Sequence, residues 1–158
     1  MFPVYKFDTF VKSKISMSKF LQTKIIDSKL YAWDPVRKKD VVLTPEEIVR
    51  QRMLAYMTEV KNYPISLLSV EKQIKYNGLM RRYDIVVYDR NGNPWLLVEC
   101  KQSDVALSQK TVEQAAYYNL QVNVPYLVLT NGAQHFVIKL DKENVSYQFL
   151  PDLPIFPE

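Results

Sequence analysis

The 158-residue sequence is poor in cysteine, histidine and glycine. Its single cysteine, Cys100, excludes an internal disulfide and favours a reducing compartment, so we expect a cytoplasmic protein. Its single histidine, His135, excludes metal sites built from several histidines and disfavours a histidine-activated nucleophile. None of its three glycines fits a Gly-x-x-x-x-Gly-Lys phosphate loop, which excludes a nucleotide-driven motor of that type: Gly78, Gly92 and Gly132.

Long apolar runs are also missing. No stretch reaches the roughly 18–20 residues that a membrane-spanning helix needs, and we expect no membrane association. What is present is ordinary for a folded domain, with 47% hydrophobic and 24% charged residues. The net charge of +4 tilts modestly toward polyanionic partners. We expect an N-terminal extension over residues 1–30, which lack a clean period, and a single domain over residues 31–158.

Turn residues and hydrophobic periods predict the order of elements. Residues 30–43 predict a short β-ribbon. Thr44, Pro45 and Glu47 form a helix start, with an N-cap, a first-turn proline and a Thr-x-x-Glu capping box, and the helix is predicted to end before Pro64. The later elements are predicted as three meandering strands, a helix, a buried strand and a hairpin: 66–76, 82–88, 95–101, 109–122, 125–130 and 134–150. This order predicts an α/β sandwich with a mixed central sheet.

The stretch RRYDIVVYDRNGNPWLLVECK, residues 81–101, predicts two strands joined by a tight turn. The first strand carries Asp84, and the second ends in Glu99-Cys100-Lys101. Strand alternation places Glu99 and Lys101 on one face. If Asp84 lies beside Glu99, their repulsion favours a shared proton or a bound cation. Because Mg²⁺ prefers oxygen ligands, the stretch indicates metal-assisted attack of water on a phosphodiester.

In this element order, the Asp…Glu-x-Lys pattern resembles the PD-(D/E)XK nuclease superfamily. The closer resemblance is to the N-terminal domain of the restriction subunit of type I restriction enzymes. Three blocks carry it: RRYDIVVYD, PWLLVECK, and EQAAYYN followed by VPYLVLTNG. Gln114 and Tyr118 add a Gln-x-x-x-Tyr pair, one helical turn apart, that is similar to RecB-type and type I restriction nucleases. The resemblance implies a restriction-endonuclease-like α/β/α sandwich, with helices flanking a mixed central sheet.

The resemblance also implies a Mg²⁺-dependent DNA endonuclease domain, with Mn²⁺ as an alternative ion. Asp84 and Glu99, together with the main-chain carbonyl of Cys100, would hold the metal. Lys101 would orient the attacking water and stabilise the charge that develops on the phosphate. A structural ion pair between Glu99 and Lys101 is the alternative explanation of that strand end.

Four further side chains have implied supporting roles. Gln114 and Tyr118 would steady Lys101 or contact a phosphate, although an ordinary amphipathic helix also explains them. Arg81 and Arg82 flank the expected site and suit phosphate contacts, with a basic pair at a surface turn as the alternative.

The resemblance also implies a further acid from the first helix. Glu47 is the first choice, although the capping box explains it equally well, and Glu46 stands next to it. Glu71, on the first of the meandering strands, is the other candidate.

The expected partners are DNA and other restriction–modification subunits or a separate motor, and a homodimer stays open. Restriction subunits continue into a helicase-like motor, so we expect translocation to require another chain. The main rival is a catalytically silent nuclease-like fold that binds nucleic acid or a restriction complex. A third hypothesis is a domain without any nucleic-acid role.

Overall fold

The structure, a computed structural model, describes residues 18–158. Within that range it contains two α-helices, α1 (Pro45–Ala55) and α2 (Gln109–Asn119), and two β-sheets. A 3₁₀ turn, Lys19–Leu21, precedes the strands, and a π-helical turn, Tyr56–Val60, continues α1. The strands are, in chain order, β1 (Thr23–Ile26), β2 (Lys29–Asp34), β3 (Lys39–Val42), β4 (Leu68–Tyr76), β5 (Leu79–Tyr88), β6 (Pro94–Cys100), β7 (Tyr126–Thr130), β8 (His135–Asp141) and β9 (Ser146–Leu150).

The larger sheet has the order β4-β5-β6-β7-β8-β9. Neighbouring strands are antiparallel except β6 and β7, which run parallel with Leu97 opposite Leu127. The chain between this parallel pair contains α2, as a parallel crossover requires. The mixed central sheet predicted from the sequence is therefore confirmed, and each predicted strand is present with its ends shifted by a few residues.

The two helices cover opposite faces of this sheet. Met53 and Leu54 of α1 share a buried core with Val98 of β6. Val112 of α2 packs in a second core with Leu97, the neighbour of Val98 on the same strand. Because successive strand residues point to opposite faces, the two cores lie on the two sides of the sheet. This confirms the α/β sandwich and explains why β6 is apolar at successive positions.

The smaller sheet is an antiparallel ribbon, β1-β2-β3. The sequence predicted only its second hairpin, over residues 30–43. The first strand, Thr23–Ile26, falls within the expected N-terminal extension, and all four of its side chains are exposed. The first seventeen residues of that extension lie outside the described part of the chain.

Helix α1 begins as predicted, but its capping box is only half formed. The Thr44 hydroxyl accepts the Glu47 N–H at 3.1 Å, and Pro45 is the first helical residue. The reciprocal bond is replaced, because the Thr44 N–H donates to the carbonyl of Val42 at 3.0 Å. The Glu47 carboxylate is therefore free to turn toward arginine side chains. The helix also changes to the π-helical turn after Ala55 instead of continuing regularly toward Pro64.

A tight turn after β7 sets how closely α1 approaches the sheet. The Asn131 side-chain oxygen accepts the N–H groups of Ala133 and Gln134 at 3.0 and 2.8 Å. Gly132 has φ +87°, which disfavours any residue with a side chain. A Cβ there would lie 3.3 Å from Val49 Cγ2 on α1. Among residues 18–158, neither helix is long and apolar enough to cross a membrane.

Candidate active site

Strands β5 and β6 separate next to Asp84. Their main-chain pairing ends at Ile85 opposite Val98. Beyond that pair, the contact between the strands is made by the side chain of Asp84. Asp84 Oδ2 accepts the N–H of Cys100 at 2.7 Å. The carboxylate thus lies at the end of β6, beside the Glu99-Cys100-Lys101 segment.

At the position of Asp84, the side chains of the β4–β5 hairpin change the face of the sheet to which they point. Ile85 packs in the core beneath α1, whereas Tyr83, two residues earlier, packs in the core beneath α2. Opposite them on β4, Glu71 has φ +55° between Val70 and Lys72, which both pair regularly. A left-handed conformation is costly outside glycine, and here it accompanies a sharp local twist. Both acids at this level, Glu71 and Asp84, form ion pairs with the α1 side chain Arg50.

The Arg50 guanidinium is the centre of these ion pairs. Its Nη2 lies 2.7 Å from Asp84 Oδ1 and 3.4 Å from Glu46 Oε1. Its Nη1 contacts Glu47 Oε2 and lies 3.9 Å from Glu71 Oε1. We call these five residues the Arg50 cluster: Glu46, Glu47, Arg50, Glu71 and Asp84.

Arg50 remains charged in this environment. The residue is 4% exposed, and burial alone lowers the pKa of its guanidinium. The hydrogen bond to Asp84 and the charges of Glu47 and Asp84 outweigh burial, so the pKa of Arg50 is raised above its ordinary value. The cluster therefore contains a permanent cation.

A second network ties the ribbon to the same helix. The fully buried Asp34 accepts N–H groups of Val36 and Arg37 at 2.7 and 2.8 Å, Arg37 Nε at 2.6 Å and Gln51 Nε2 at 2.9 Å. Burial raises the pKa of Asp34, but these bonds outweigh it, and the pKa lies below its ordinary value. Arg37 and Gln51 also bind Glu47, so Asp34 helps to fix the position of that acid.

Glu99 binds a different arginine. Its Oε1 accepts Nη2 of Arg81 at 2.6 Å. Since Val98 and Cys100 face α1, alternation places Glu99 on the α2 side. The Arg81 guanidinium lies 4.2 Å above the Tyr118 ring of α2 and 5.3 Å above the Tyr83 ring. Burial raises the pKa of Tyr83 to about 12.

The structure therefore corrects one geometric expectation. Asp84 and Glu99 lie on neighbouring strand ends, but each is paired with its own arginine instead of sharing one cation. The physical reason is the separation of the strands, since the Asp84 side chain takes the place of a main-chain partner for Cys100. In the described part of the chain, no three acidic, histidine or cysteine side chains are arranged to hold a metal.

The strand end after Glu99 is fixed by β7. Lys101 donates its main-chain N–H to the carbonyl of Thr130 at 2.8 Å, and its side chain is partly exposed. Cys100 is 1% exposed, and burial, followed by the charge of Asp84, raises the pKa of its thiol. Cys100 is therefore buried, and its neutral thiol is a poor nucleophile.

The other predicted residues surround these two ion pairs. Tyr118 supports Arg81, and Gln114 lies exposed one turn earlier on α2. Arg82 binds Glu71 at 2.9 Å, with its side chain 62% exposed. Glu47, predicted as the helix acid, is in the Arg50 cluster together with both of its alternatives, Glu46 and Glu71.

Sequence reasoning missed Arg50, Arg37 and Asp34. One local signal was present, because Arg50 follows Glu46 and Glu47 by four and three residues, the spacings at which helical side chains meet. Its contact with Asp84, 34 residues away, has no local signal.

The sequence comparison supplies the family. A family model described as type I restriction enzyme R protein N terminus (HSDR_N) matches residues 45–154. This chain belongs to that family. The match confirms the resemblance to the restriction subunit of type I restriction enzymes that the three sequence blocks carried. The matched part of this R-protein N-terminal chain starts at Pro45, so it contains the whole Arg50 cluster, whereas the ribbon with Asp34 and Arg37 precedes it.

One similar solved structure comes from Anabaena variabilis ATCC 29413 and is described as a candidate nuclease belonging to DUF820. It shares 12% identity with this chain at a TM-score of 0.46, and the alignment covers 90% of this chain and 84% of that chain. Among curated proteins, none matches the sequence.

Proposed function

We propose that this chain is a metal-dependent DNA endonuclease domain that hydrolyses phosphodiester bonds with an activated water. The observation that carries the proposal is the position of the Asp84 carboxylate, 2.7 Å from the N–H of Cys100 within Glu99-Cys100-Lys101. The family of R-protein N-termini supports the reaction class. The proposed partners are DNA and the other subunits of a restriction–modification complex, in the cytoplasm.

The site offers carboxylate oxygens, which hard cations prefer, but Asp84 and Glu99 would have to leave their arginines to bind one ion. Four carboxylates from α1, β4 and β5 surround the Arg50 guanidinium. Arg37 also contacts Glu47 and Glu71, and Arg82 contacts Glu71. Oxygen ligands of this kind suit Mg²⁺ or Mn²⁺. Asp84, Glu99 and the Cys100 carbonyl would hold the ion, with Glu47 as the helix acid. The metal would lower the pKa of a bound water and neutralise charge on the phosphate.

The chain's own residues would position the substrate. Lys101 would orient the water and stabilise the developing negative charge at the end of β6. Arg82 has an exposed side chain suited to a phosphate oxygen. Gln114 and Tyr118 lie on the neighbouring helix, where Tyr118 supports Arg81 and thereby the Glu99 carboxylate.

Cleavage of duplex DNA with Mg²⁺ or Mn²⁺ tests the proposal. We expect Asp84→Asn and Lys101→Met to lower the cleavage rate by about a hundredfold or more, the usual effect of removing a group that stabilises transition-state charge. Thermal unfolding checks that both variants remain folded. Lys139→Met, which removes an exposed lysine from β8, is the matched control and should cleave normally. Unchanged cleavage in Asp84→Asn or Lys101→Met would refute the assignment.

A second function is favoured by one observation. Asp84 and Glu99, the two proposed metal ligands, are both neutralised by arginines, which is the arrangement of a metal-free fold. We keep as the alternative a silent nuclease-like module that binds nucleic acid or a restriction complex. Such a module would bind DNA with a salt-dependent affinity, because phosphate contacts release counterions, but it would show neither metal binding nor cleavage.

A further inference from the structure

The Arg50 guanidinium lies where the carboxylates of the proposed site converge. Both of its Nη atoms are engaged, Nη1 with Glu47 and Glu71 and Nη2 with Asp84 and Glu46. These acids come from three elements. Arg37 contacts Glu47 and Glu71, whereas Arg50 contacts all four acids, Asp84 included. A guanidinium in this position neutralises acids that would otherwise repel each other.

The placement is tight and costly. Arg50 is 4% exposed, and its Nε is buried without a hydrogen-bond partner. A buried arginine with an unsatisfied donor is expensive unless its charge is well compensated, and Asp84 and Glu47 supply that compensation. The position of the Arg50 side chain is therefore set by its ion pairs with these acids.

The same oxygens are those that a metal would use. Asp84 Oδ1 binds Arg50, while Asp84 Oδ2 binds the Cys100 N–H. A divalent ion on Asp84 would lie a few ångströms from the guanidinium charge, where two cations repel strongly even at an effective dielectric constant of about 20. The metal ion and the guanidinium would therefore compete for binding to these acids.

We propose that Arg50 is a resident counter-cation that competes with the divalent metal for Asp84 and Glu47. The inference rests on the proposed function, because it takes the metal from there. In the metal-free protein, Arg50 keeps the acids together and the fold intact. Metal binding requires the guanidinium to leave Asp84, so Arg50 weakens metal affinity and sets the ion concentration at which the site fills.

Metal affinity, measured by calorimetric titration of Mn²⁺ and Mg²⁺ into the full chain without DNA, tests this proposal. Arg50→Gln removes the charge and keeps a hydrogen-bonding side chain. We expect its metal association constant to rise about tenfold or more over the wild type, because a cation adjacent to the ion is gone. Arg52→Gln is the matched control, since it removes the same charge from an exposed position of the same helix, and it should change affinity about twofold or less.

The outcomes separate the two proposals. Tighter binding by Arg50→Gln, or binding gained only in that variant, supports the counter-cation role. Equal or weaker binding by Arg50→Gln, with measurable binding by the wild type, overturns that role and leaves the proposed nuclease intact. The absence of metal binding in both proteins overturns both proposals.

A measurement on the wild type covers the case in which Arg50→Gln does not fold. The side-chain nitrogen resonances of Arg50, assigned by nuclear magnetic resonance, report whether its guanidinium stays paired. We expect them to shift and to exchange faster with solvent when Mg²⁺ saturates the protein. Unchanged Arg50 resonances at saturating metal would overturn the proposal, because the ion would then bind without displacing the guanidinium.

Discussion

Asp84 and Glu99 occupy neighbouring strand ends and both pair with arginine, yet their surroundings differ. Arg50, the partner of Asp84, is 5% exposed in its side chain and contacts four carboxylates. Arg81, the partner of Glu99, is 28% exposed and rests on the Tyr118 ring. The first ion pair belongs to a network that also fixes α1 and, through Glu47, the ribbon. We expect the second ion pair to exchange its partner without disturbing the fold, because its arginine is more exposed than Arg50.

The largest stability effect is expected where the α1 network is most buried. Asp34→Ala removes one of the two carboxylates that Arg37 and Gln51 share, and the loss of one partner in a buried charged network costs about 3–5 kcal/mol. Urea unfolding measures it. Asp40→Ala is the control from the same ribbon, because the partly exposed pair of Asp40 with Lys24 is worth about 1 kcal/mol or less. Equal losses in the two variants would contradict the expectation that the buried network of Asp34 contributes more to stability than an exposed ion pair of the same ribbon.

Acid should weaken the α1 side through the same residue. The folded pKa of Asp34 lies below its ordinary value, so the ionised form is favoured by folding. Its contribution is complete above the unfolded pKa of about 4 and is lost as the pH falls through the folded value. The stability difference between the wild type and Asp34→Asn should therefore shrink in acid. Unfolding free energies of both proteins across that pH range measure it, and a difference that stays constant would show that Asp34 is not the titrating group.

The smallest effect is expected on the α2 side. Glu99→Gln keeps an acceptor for Arg81 but removes its charge, and we expect the free energy of unfolding to change by about 1 kcal/mol or less. Chemical denaturation compares this variant with the wild type. A loss as large as that of Asp34→Ala would mean that the Glu99 ion pair holds the fold together and is not exchangeable.

The sequence predicted most of the architecture because its signals are local. The Thr44 cap, the turn residues between strands and the periodic apolar residues each fix an element through neighbours in the chain. They also located Asp84 next to the Glu99-Cys100-Lys101 segment. The partners of those acids were not predictable, because Arg50 meets Asp84 across 34 positions and Arg81 meets Glu99 across 18. Strand alternation alone also fails to predict the twist at Glu71, a residue with left-handed backbone geometry. At this twist, the neighbouring side chains Tyr83 and Ile85 point to opposite faces of the sheet.

Val49 of α1 packs closely against Gly132, a residue that has no side chain. Any substitution there would strain the backbone at φ +87° and press a new methyl group against Val49, the residue before Arg50. The Val49 side chain would have to move by a few tenths of an ångström to make room for that methyl group. A change in a turn that touches none of the acids would thereby act on the residue next to Arg50.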